Sequence, residues 1–258
     1  MLFREDCLET LKAIKTRSVH TVFADPPFNL GKNYGSRKDS LSEDEYLNWS
    51  YEWLEGCSRI IVDGGALFVY ILPKWGYHFA NFLDDSLTFR HWIALTMKGT
   101  FRRGRRLYPA HYALLYFTKG EPRVVHNIRT PIQRCKVCGE EIKDYGGYRK
   151  FIHRDGISLS DFWDDTFPNR HNHSKFREAN ELNSIIPERA VKISTRQGDV
   201  VMDPFGGGGT TYQIAEANNR YWIGCETGDC RPIIKRMKTH FRNSAGRKPP
   251  KKLTAMFY

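Results

Sequence analysis

Two stretches of this chain carry residues whose types and order could do chemistry together. Asp25-Pro26-Pro27-Phe28 follows the apolar run Val19-His20-Thr21-Val22-Phe23-Ala24, which reads as a buried strand. Two prolines cannot continue a central strand or enter a helix interior. The strand therefore stops in a stiff turn with a carboxylate at one end, an aromatic face at the other, and proline carbonyls left as acceptors. In an open α/β sheet such a turn sits at the carboxyl edge, where ligands bind. The second stretch, Val200-Val201-Met202-Asp203-Pro204-Phe205-Gly206-Gly207-Gly208-Gly209-Thr210-Thr211, reads as a strand, a glycine loop and a helix start. Glycines admit a ligand that any β-carbon would exclude, and a helix N-terminus suits a carboxylate. The loop lacks the Gly-Lys-Ser/Thr ending of a nucleotide P-loop.

The elements around these stretches alternate in type. Asp6 caps a short helix whose Leu8, Leu11 and Ile14 share one face. Ser42 and Glu45 form a capping box ahead of a helix with a stripe of Tyr46, Leu47, Trp49, Trp53, Leu54 and Cys57, read as core. Gly64-Gly65 reads as a turn into a central strand, 66–72. A helix over 78–83, strands over 91–95 and 111–117, and a helix over 180–194 interrupted or restarted at Pro187 follow. Tyr221-Trp222-Ile223-Gly224-Cys225 is the next strand, ending in Glu226, about 20 residues beyond the glycine loop, the spacing at which an acid meets ribose hydroxyls. Strands alternating with helices predict an α/β fold with a mostly parallel sheet.

The Asp-Pro-Pro-Phe turn upstream of Asp-Pro-Phe-x-Gly-x-Gly-Thr-Thr resembles the amino-methyltransferases of DNA, and the motif order resembles their β group. The resemblance runs from about Asp6 to Glu226. It implies a Rossmann-like class I methyltransferase fold, circularly permuted, with helices on both sheet faces and a small inserted recognition region. It implies S-adenosylmethionine as cofactor, held by Asp6, Cys7, Asp203, Phe205, Gly207, Gly209, Thr210, Thr211 and Glu226. Asp6 would take the amino group of the cofactor's adenine, Cys7 would offer its backbone N–H to the same ring, and Lys175-Phe176 would stand near the methionine tail. Asp25, Pro26, Pro27 and Phe28 are the implied catalytic residues. Asp25 and the Pro26 carbonyl would each accept an amino hydrogen, and Phe28 would stack on a flipped base. Aspartate at the first motif position goes mostly with adenine N6 in this family, with cytosine N4 as the alternative. RNA and protein amino-methyltransferases carry the glycine motif first, so the order here argues against them.

The implied organisation is a catalytic half over 1–119, an inserted target-recognition region over 120–173, a cofactor half over 174–241 and a basic tail over 242–258. The net charge of +11 points to a polyanionic partner. The most basic stretch holds Lys98, Arg102, Arg103, Arg105 and Arg106, read as phosphate contacts to double-stranded DNA. The glycine-rich stretch 29–38 reads as a loop beside the active site. Ser160 to Asp165 resembles the family's tryptophan-containing segment, with Trp163 as a packing anchor.

Cys135-Lys136-Val137-Cys138-Gly139 reads as half of a structural zinc site, with His126, His153, His171 and His173 as candidates to complete it, or as free thiols. A zinc-stabilised, non-catalytic DNA-binding module is a second reading, but it leaves the paired motifs unexplained. Six irregularly spaced cysteines suggest reduced thiols, hence a cytoplasmic protein of bacterial, archaeal or phage origin. The N-terminus is too polar for a signal peptide and no apolar run is long enough to span a membrane. The resemblance leaves open a homodimer and a companion restriction endonuclease.

Overall fold

The computed structural model describes residues 1–31, 39–97, 104–105, 107–132, 134–135, 137–141, 147–166 and 181–243. In chain order the principal elements are β1 (Leu2–Phe3), α1 (Cys7–Ala13), β2 (Val19–Ala24), α2 (Glu43–Ile60), β3 (Ile61–Ile71), α3 (Pro73–Asp84), β4 (Thr88–Thr96) and β5 (His111–Thr118). Short strands β6 (Arg129–Thr130), β7 (Ile157–Ser158) and β8 (Phe162–Trp163) follow. The chain ends in α4 (Ile185–Ser194), β9 (Val200–Asp203), α5 (Thr210–Ala217), β10 (Tyr221–Cys225) and α6 (Arg231–Asn243).

Eight strands form one sheet in the order β1-β10-β9-β2-β3-β5-β4-β8. The pairs β1/β10, β10/β9, β9/β2, β2/β3 and β4/β8 are parallel, and β5 runs antiparallel to β3 and β4. The mostly parallel α/β sheet expected from the alternation of elements is therefore present. β2 lies in the middle, with five of its six residues buried, as a strand covered on both faces requires. It pairs in parallel with β9 through Thr21↔Val201 and Val22↔Met202. That register brings the residues after both strands, Asp25 and Asp203, to the same edge.

One face of the sheet carries α1, α2 and α3, whose Leu11, Trp53, Leu54, Phe79 and Leu83 pack on Val22, Leu67, Val69 and Leu115. The opposite face buries Phe23, Phe68, Tyr116, Ile186, Ala190 and Trp163. The α2 stripe is core, as its spacing predicts, and the capping box at Ser42 and Glu45 is formed. Trp163 is an anchor: it is 1% exposed, and the Arg189 guanidinium lies 5.0 Å above its ring. Arg189 also makes a two-pronged pair with Asp165 at 2.6 and 2.7 Å.

Two expectations are corrected. β3 begins at Ile61, directly after α2, so Gly64-Gly65 lies inside the strand. The reason is a chain crossing: a β-carbon on Gly64 would come 2.7 Å from the Arg123 nitrogen and 2.8 Å from the Glu121 carbonyl. Gly64 itself has a φ of +72°. The expected helix over 180–194 begins only at Ile185, so of the two readings of Pro187 it is the start beside it, not an interruption, that is observed. Pro187 sits in the first turn, where an amide N–H has no helical partner to lose.

Candidate active site

The site is built at the carboxyl edge of β2, β3, β9 and β10. The Asp25–Phe28 turn leaves β2 and is held by its main chain from two helices. The Tyr46 hydroxyl of α2 donates to the Pro27 carbonyl at 2.7 Å, and the Trp75 indole N–H of α3 donates to the Phe28 carbonyl at 2.9 Å. Pro26 is buried, while Asp25 and Phe28 are half-buried. The Phe28 ring leans on Tyr70 at 5.7 Å and on Tyr112 at 5.9 Å, and these tyrosines lie 5.0 Å from each other. Tyr70 comes from the end of β3 and Tyr112 from the start of the antiparallel β5, so the strand reversal assembles this aromatic cluster. Burial pushes the Tyr70 phenol well above its ordinary range, and the nearby Asp25 carboxylate pushes the same way. Tyr70 therefore stays a neutral hydroxyl beside Asp25.

Asp203 ends β9 and is 4% exposed. Its carboxylate accepts the Phe205 N–H at 2.9 Å and a hydrogen bond from the Thr211 side chain. Burial nevertheless pushes its pKa up to about 8, and the Asp25 and Glu226 carboxylates add to the rise. These three acids, on β2, β9 and β10, feel one another at one edge. Phe205 turns inward, its ring 5.1 Å from Trp53 and 5.9 Å from Trp49.

The glycine loop is a locked structure. The Gly206 N–H donates to the Cys225 carbonyl at 2.9 Å and the Gly209 N–H to the Gly206 carbonyl at 2.7 Å. Gly207 and Gly209 have φ of +50° and +76°, the left-handed region that favours glycine. Gly206 does not loosen the loop: it is buried, and a β-carbon there would come 2.8 Å from the Tyr212 hydroxyl. Arg236 of α6 braces the loop, donating to the Gly208 carbonyl at 2.6 Å and to Glu181 at 2.8 Å. Thr210 and Thr211 are buried at the start of α5. Glu226 accepts the Gly207 N–H at 2.7 Å and the Gly228 N–H at 2.8 Å, which aligns its carboxylate with the loop.

Asp6 caps α1 by accepting the Leu8 N–H at 2.9 Å. β1 pairs with β10, and the Glu226 N–H donates to the Phe3 carbonyl at 3.0 Å, so Asp6 and Cys7 follow β1 at the same sheet edge as Glu226. Asp6 and Cys7, the glycine loop and Glu226 thus follow β1, β9 and β10 on the sheet edge that carries the Asp25 turn. Tyr46, Trp75, Tyr70, Tyr112, Glu181 and Arg236 carry no motif signal, because they act on backbone groups or on one another.

Other expected site residues are less joined. Arg105 is exposed; Lys98, Arg102, Arg103 and Arg106 lie outside the described residues, as do 32–38, Lys175 and Phe176. Cys135 is half-buried and Cys138 exposed. The Val137 N–H lies 3.4 Å from the Cys135 sulfur, and the Cys135 N–H donates to the Glu140 carbonyl at 2.7 Å. Backbone N–H groups of Cys138 and Val137 pull the Cys135 thiol below its ordinary pKa. Among the described residues no three His, Cys, Asp or Glu side chains gather as a metal site. His126 and His153 do not join the two thiols, and His171 and His173 lie outside the described residues. No helix among the described residues is long and apolar enough to cross a membrane.

The acid-proline turn after β2 and the glycine loop after β9 thus share one edge of parallel strands. The chain belongs to the N6/N4 DNA methylase family, whose model matches residues 19–232. It is 46% identical over 239 residues to the type II methyltransferase M.BamHI of Bacillus amyloliquefaciens, covering 92% of this chain and 56% of that protein. The chain thus spans little more than half the length of this relative. It is 28% identical over 230 residues to the type II methyltransferase M.HpaI of Haemophilus parainfluenzae, covering 87% of this chain and 69% of that one. Among solved structures, the fold is similar to the cytosine-N4-specific PvuII DNA methyltransferase, with a TM-score of 0.66 and 16% identity over 95% of this chain and 93% of the other.

Proposed function

We propose that this protein transfers a methyl group from S-adenosylmethionine to the exocyclic N6 of adenine in double-stranded DNA. The observation that carries this reading is the shared edge: β2 and β9 are parallel neighbours, and their ends present Asp25 and the Asp203–Thr211 loop side by side.

The donor set fits this cofactor. Asp25 and Glu226 bring carboxylates to this edge within a chain of net charge +11, beside an Asp203 that burial holds towards its neutral form. An acidic pocket repels phosphates and favours a ligand with cationic and hydroxyl groups. Glu226, fixed by two backbone N–H groups, retains lone pairs for hydroxyl hydrogens. Asp6 supplies an acceptor for an amino group, and the N-terminus of α5 suits a carboxylate. When bound, S-adenosylmethionine supplies an electrophilic sulfonium methyl.

The chain's own residues prepare the nucleophile. An aromatic amino group has its lone pair delocalised into the ring. Asp25 accepts one amino hydrogen and the Pro26 carbonyl the other, which localises the lone pair on nitrogen as positive charge develops. Tyr46 and Trp75 hold the Pro27 and Phe28 carbonyls, so the turn that carries Asp25 and the Pro26 carbonyl is preorganised rather than recruited. Phe28, backed by Tyr70 and Tyr112, offers a stacking face for a base taken out of the duplex. Lys98, Arg102, Arg103, Arg105 and Arg106 supply phosphate contacts.

The aspartate at position 25 supports adenine. A relative 25% identical over 226 residues is the DNA adenine methyltransferase YhdJ of Escherichia coli, whereas the PvuII enzyme is described as cytosine-N4-specific; the likeness to PvuII speaks to fold alone. Cytosine N4 is therefore the second reading. Purified protein, unmethylated duplex DNA and S-adenosylmethionine, followed by nucleoside mass spectrometry, separates them. N6-methyladenine supports the proposal, and N4-methylcytosine transfers it to the other base. No methylated nucleoside from wild type, or full transfer by Asp25→Ala, overturns the mechanism.

A further inference from the structure

We propose that Asp39 is a positioning residue for this methyl transfer, fixing the exit of the catalytic turn; the proposal rests on the function given above. Asp39 is 7% exposed. Its two carboxylate oxygens take successive backbone N–H groups, Asn29 at 2.7 Å and Leu30 at 2.9 Å. Two consecutive N–H groups converging on one carboxylate form an anion-holding concavity. Asn29 sits in the left-handed region with φ of +55°, a conformation in which it needs support.

Three further bonds tie the same strands of chain. The Gly31 N–H donates to the Asp39 carbonyl at 2.5 Å. The Asn29 side chain donates to the Leu41 carbonyl and accepts the Leu41 N–H, both at 2.9 Å. Residues 29–31 and 39–41 are thus clamped together immediately after Phe28.

The clamp matters for chemistry because of where freedom remains. Pro26 and Pro27 have their φ angles fixed by their rings. Tyr46 and Trp75 already hold the Pro27 and Phe28 carbonyls. The remaining soft torsions of the turn lie at its exit, between Phe28 and Leu30, where the Asp39 carboxylate binds. Loss of that carboxylate releases the exit while leaving Asp25, the glycine loop and Glu226 chemically intact. The expected signature is a slow chemical step with cofactor affinity retained.

The test compares wild type, Asp39→Ala, Asp39→Asn and Arg123→Ala. Arg123 pairs with Asp199 at the opposite, amino edge of β9, so its loss reports destabilisation alone. Single-turnover methylation, calorimetric S-adenosylmethionine binding and the indole ¹H–¹⁵N resonance of Trp75 are measured well below each variant's melting temperature. Asp39→Ala is expected to methylate about 100-fold more slowly, the scale of a misplacement near 1 Å, with affinity within about threefold of wild type. Asp39→Asn keeps one acceptor oxygen, so it falls between and covers the case in which the alanine variant does not fold. The Trp75 resonance moves in both. An Asp39→Ala rate within about threefold of wild type, or a loss matched by Arg123→Ala, overturns the proposal. If wild type itself yields no methylated nucleoside, the functional reading fails, and the clamp is judged by Trp75: a resonance unmoved in Asp39→Ala overturns it, and a shifted one upholds its hold on the turn.

Discussion

Tyr212 occupies the space that a side chain on Gly224 would need: a β-carbon there would lie 2.1 Å from the Tyr212 ring. The same tyrosine, on α5, donates its hydroxyl to the Asp203 carbonyl at 3.0 Å and stacks on Trp222 with ring centres 4.8 Å apart. Gly206 leaves room for its hydroxyl on the other side. One buried side chain from the helix after the glycine loop therefore joins the ends of β9 and β10.

Gly224→Ala forces a methyl group into that ring. Overpacking a filled core costs about 1–3 kcal/mol, and more where the neighbour cannot move. Tyr212 cannot move without giving up its bond to Asp203. Urea unfolding is expected to place Gly224→Ala at least about 2 kcal/mol below wild type. A Gly224→Ala/Tyr212→Leu double variant should lose less than the sum of the two single changes, because the clash exists only between them.

Asp203 gives a pH prediction. Burial raises its folded pKa to about 8, whereas in the unfolded chain it titrates near the ordinary aspartate value of about 3.9. The folded state therefore binds the extra proton between these values, so this residue's contribution is full below about pH 4 and is lost as pH rises towards 8. Unfolding of the cofactor-free protein at a series of pH values should show wild type losing stability relative to Asp203→Asn across that window, by up to about 1.4 kcal/mol per pH unit. A pH-independent difference between the two proteins would remove the raised pKa from the account.

The parts of this molecule legible in the sequence were those written in local patterns. β2 was legible because a largely apolar run, 19–24, stands before two prolines, and α2 because its cap and its apolar stripe agree. The start of β3 was hidden because Gly64 answers to the main chain of Arg123 and Glu121, far away in sequence. Gly206 and Gly224 carry no signal of their own in the sequence; Tyr212 fills the space beside both. The supports of the catalytic turn were hidden for a related reason. Tyr46, Trp75 and Asp39 bond to backbone carbonyl and N–H groups, and a bond to main chain leaves no trace in its partner's side-chain type.

Arg236 and Glu181 form a pair with side chains only 8% and 13% exposed, and Arg236 also holds the Gly208 carbonyl and Gln213. Removing one member of a buried pair costs about 3–5 kcal/mol, largely because the other charge is left unsatisfied. Arg236→Met should therefore destabilise the fold more than the double change Arg236→Met/Glu181→Leu. Both variants lose the brace on Gly208, so both should bind S-adenosylmethionine more weakly than wild type in calorimetry. Equal stability of the single and double variants would mean that Glu181 is not held by Arg236 in solution.

Four of the six cysteines separate into two chemical populations. Burial pushes the thiols of Cys7, Cys57 and Cys225 far up, Cys225 to about 12, so none is a thiolate near neutral pH. Cys135 is drawn the other way by backbone N–H groups of Cys138 and Val137. Reactivity follows the thiolate fraction and access. Brief iodoacetamide treatment of the folded protein at pH 7.5, read by peptide mass spectrometry, should label Cys135 first and leave Cys7, Cys57 and Cys225 unmodified until denaturant is added. The same experiment addresses the zinc reading of the Cys135-Cys138 turn. If labelling is slow in protein as purified and becomes fast after a chelator, a metal ion is held on these thiolates; fast labelling unaffected by chelator identifies them as free.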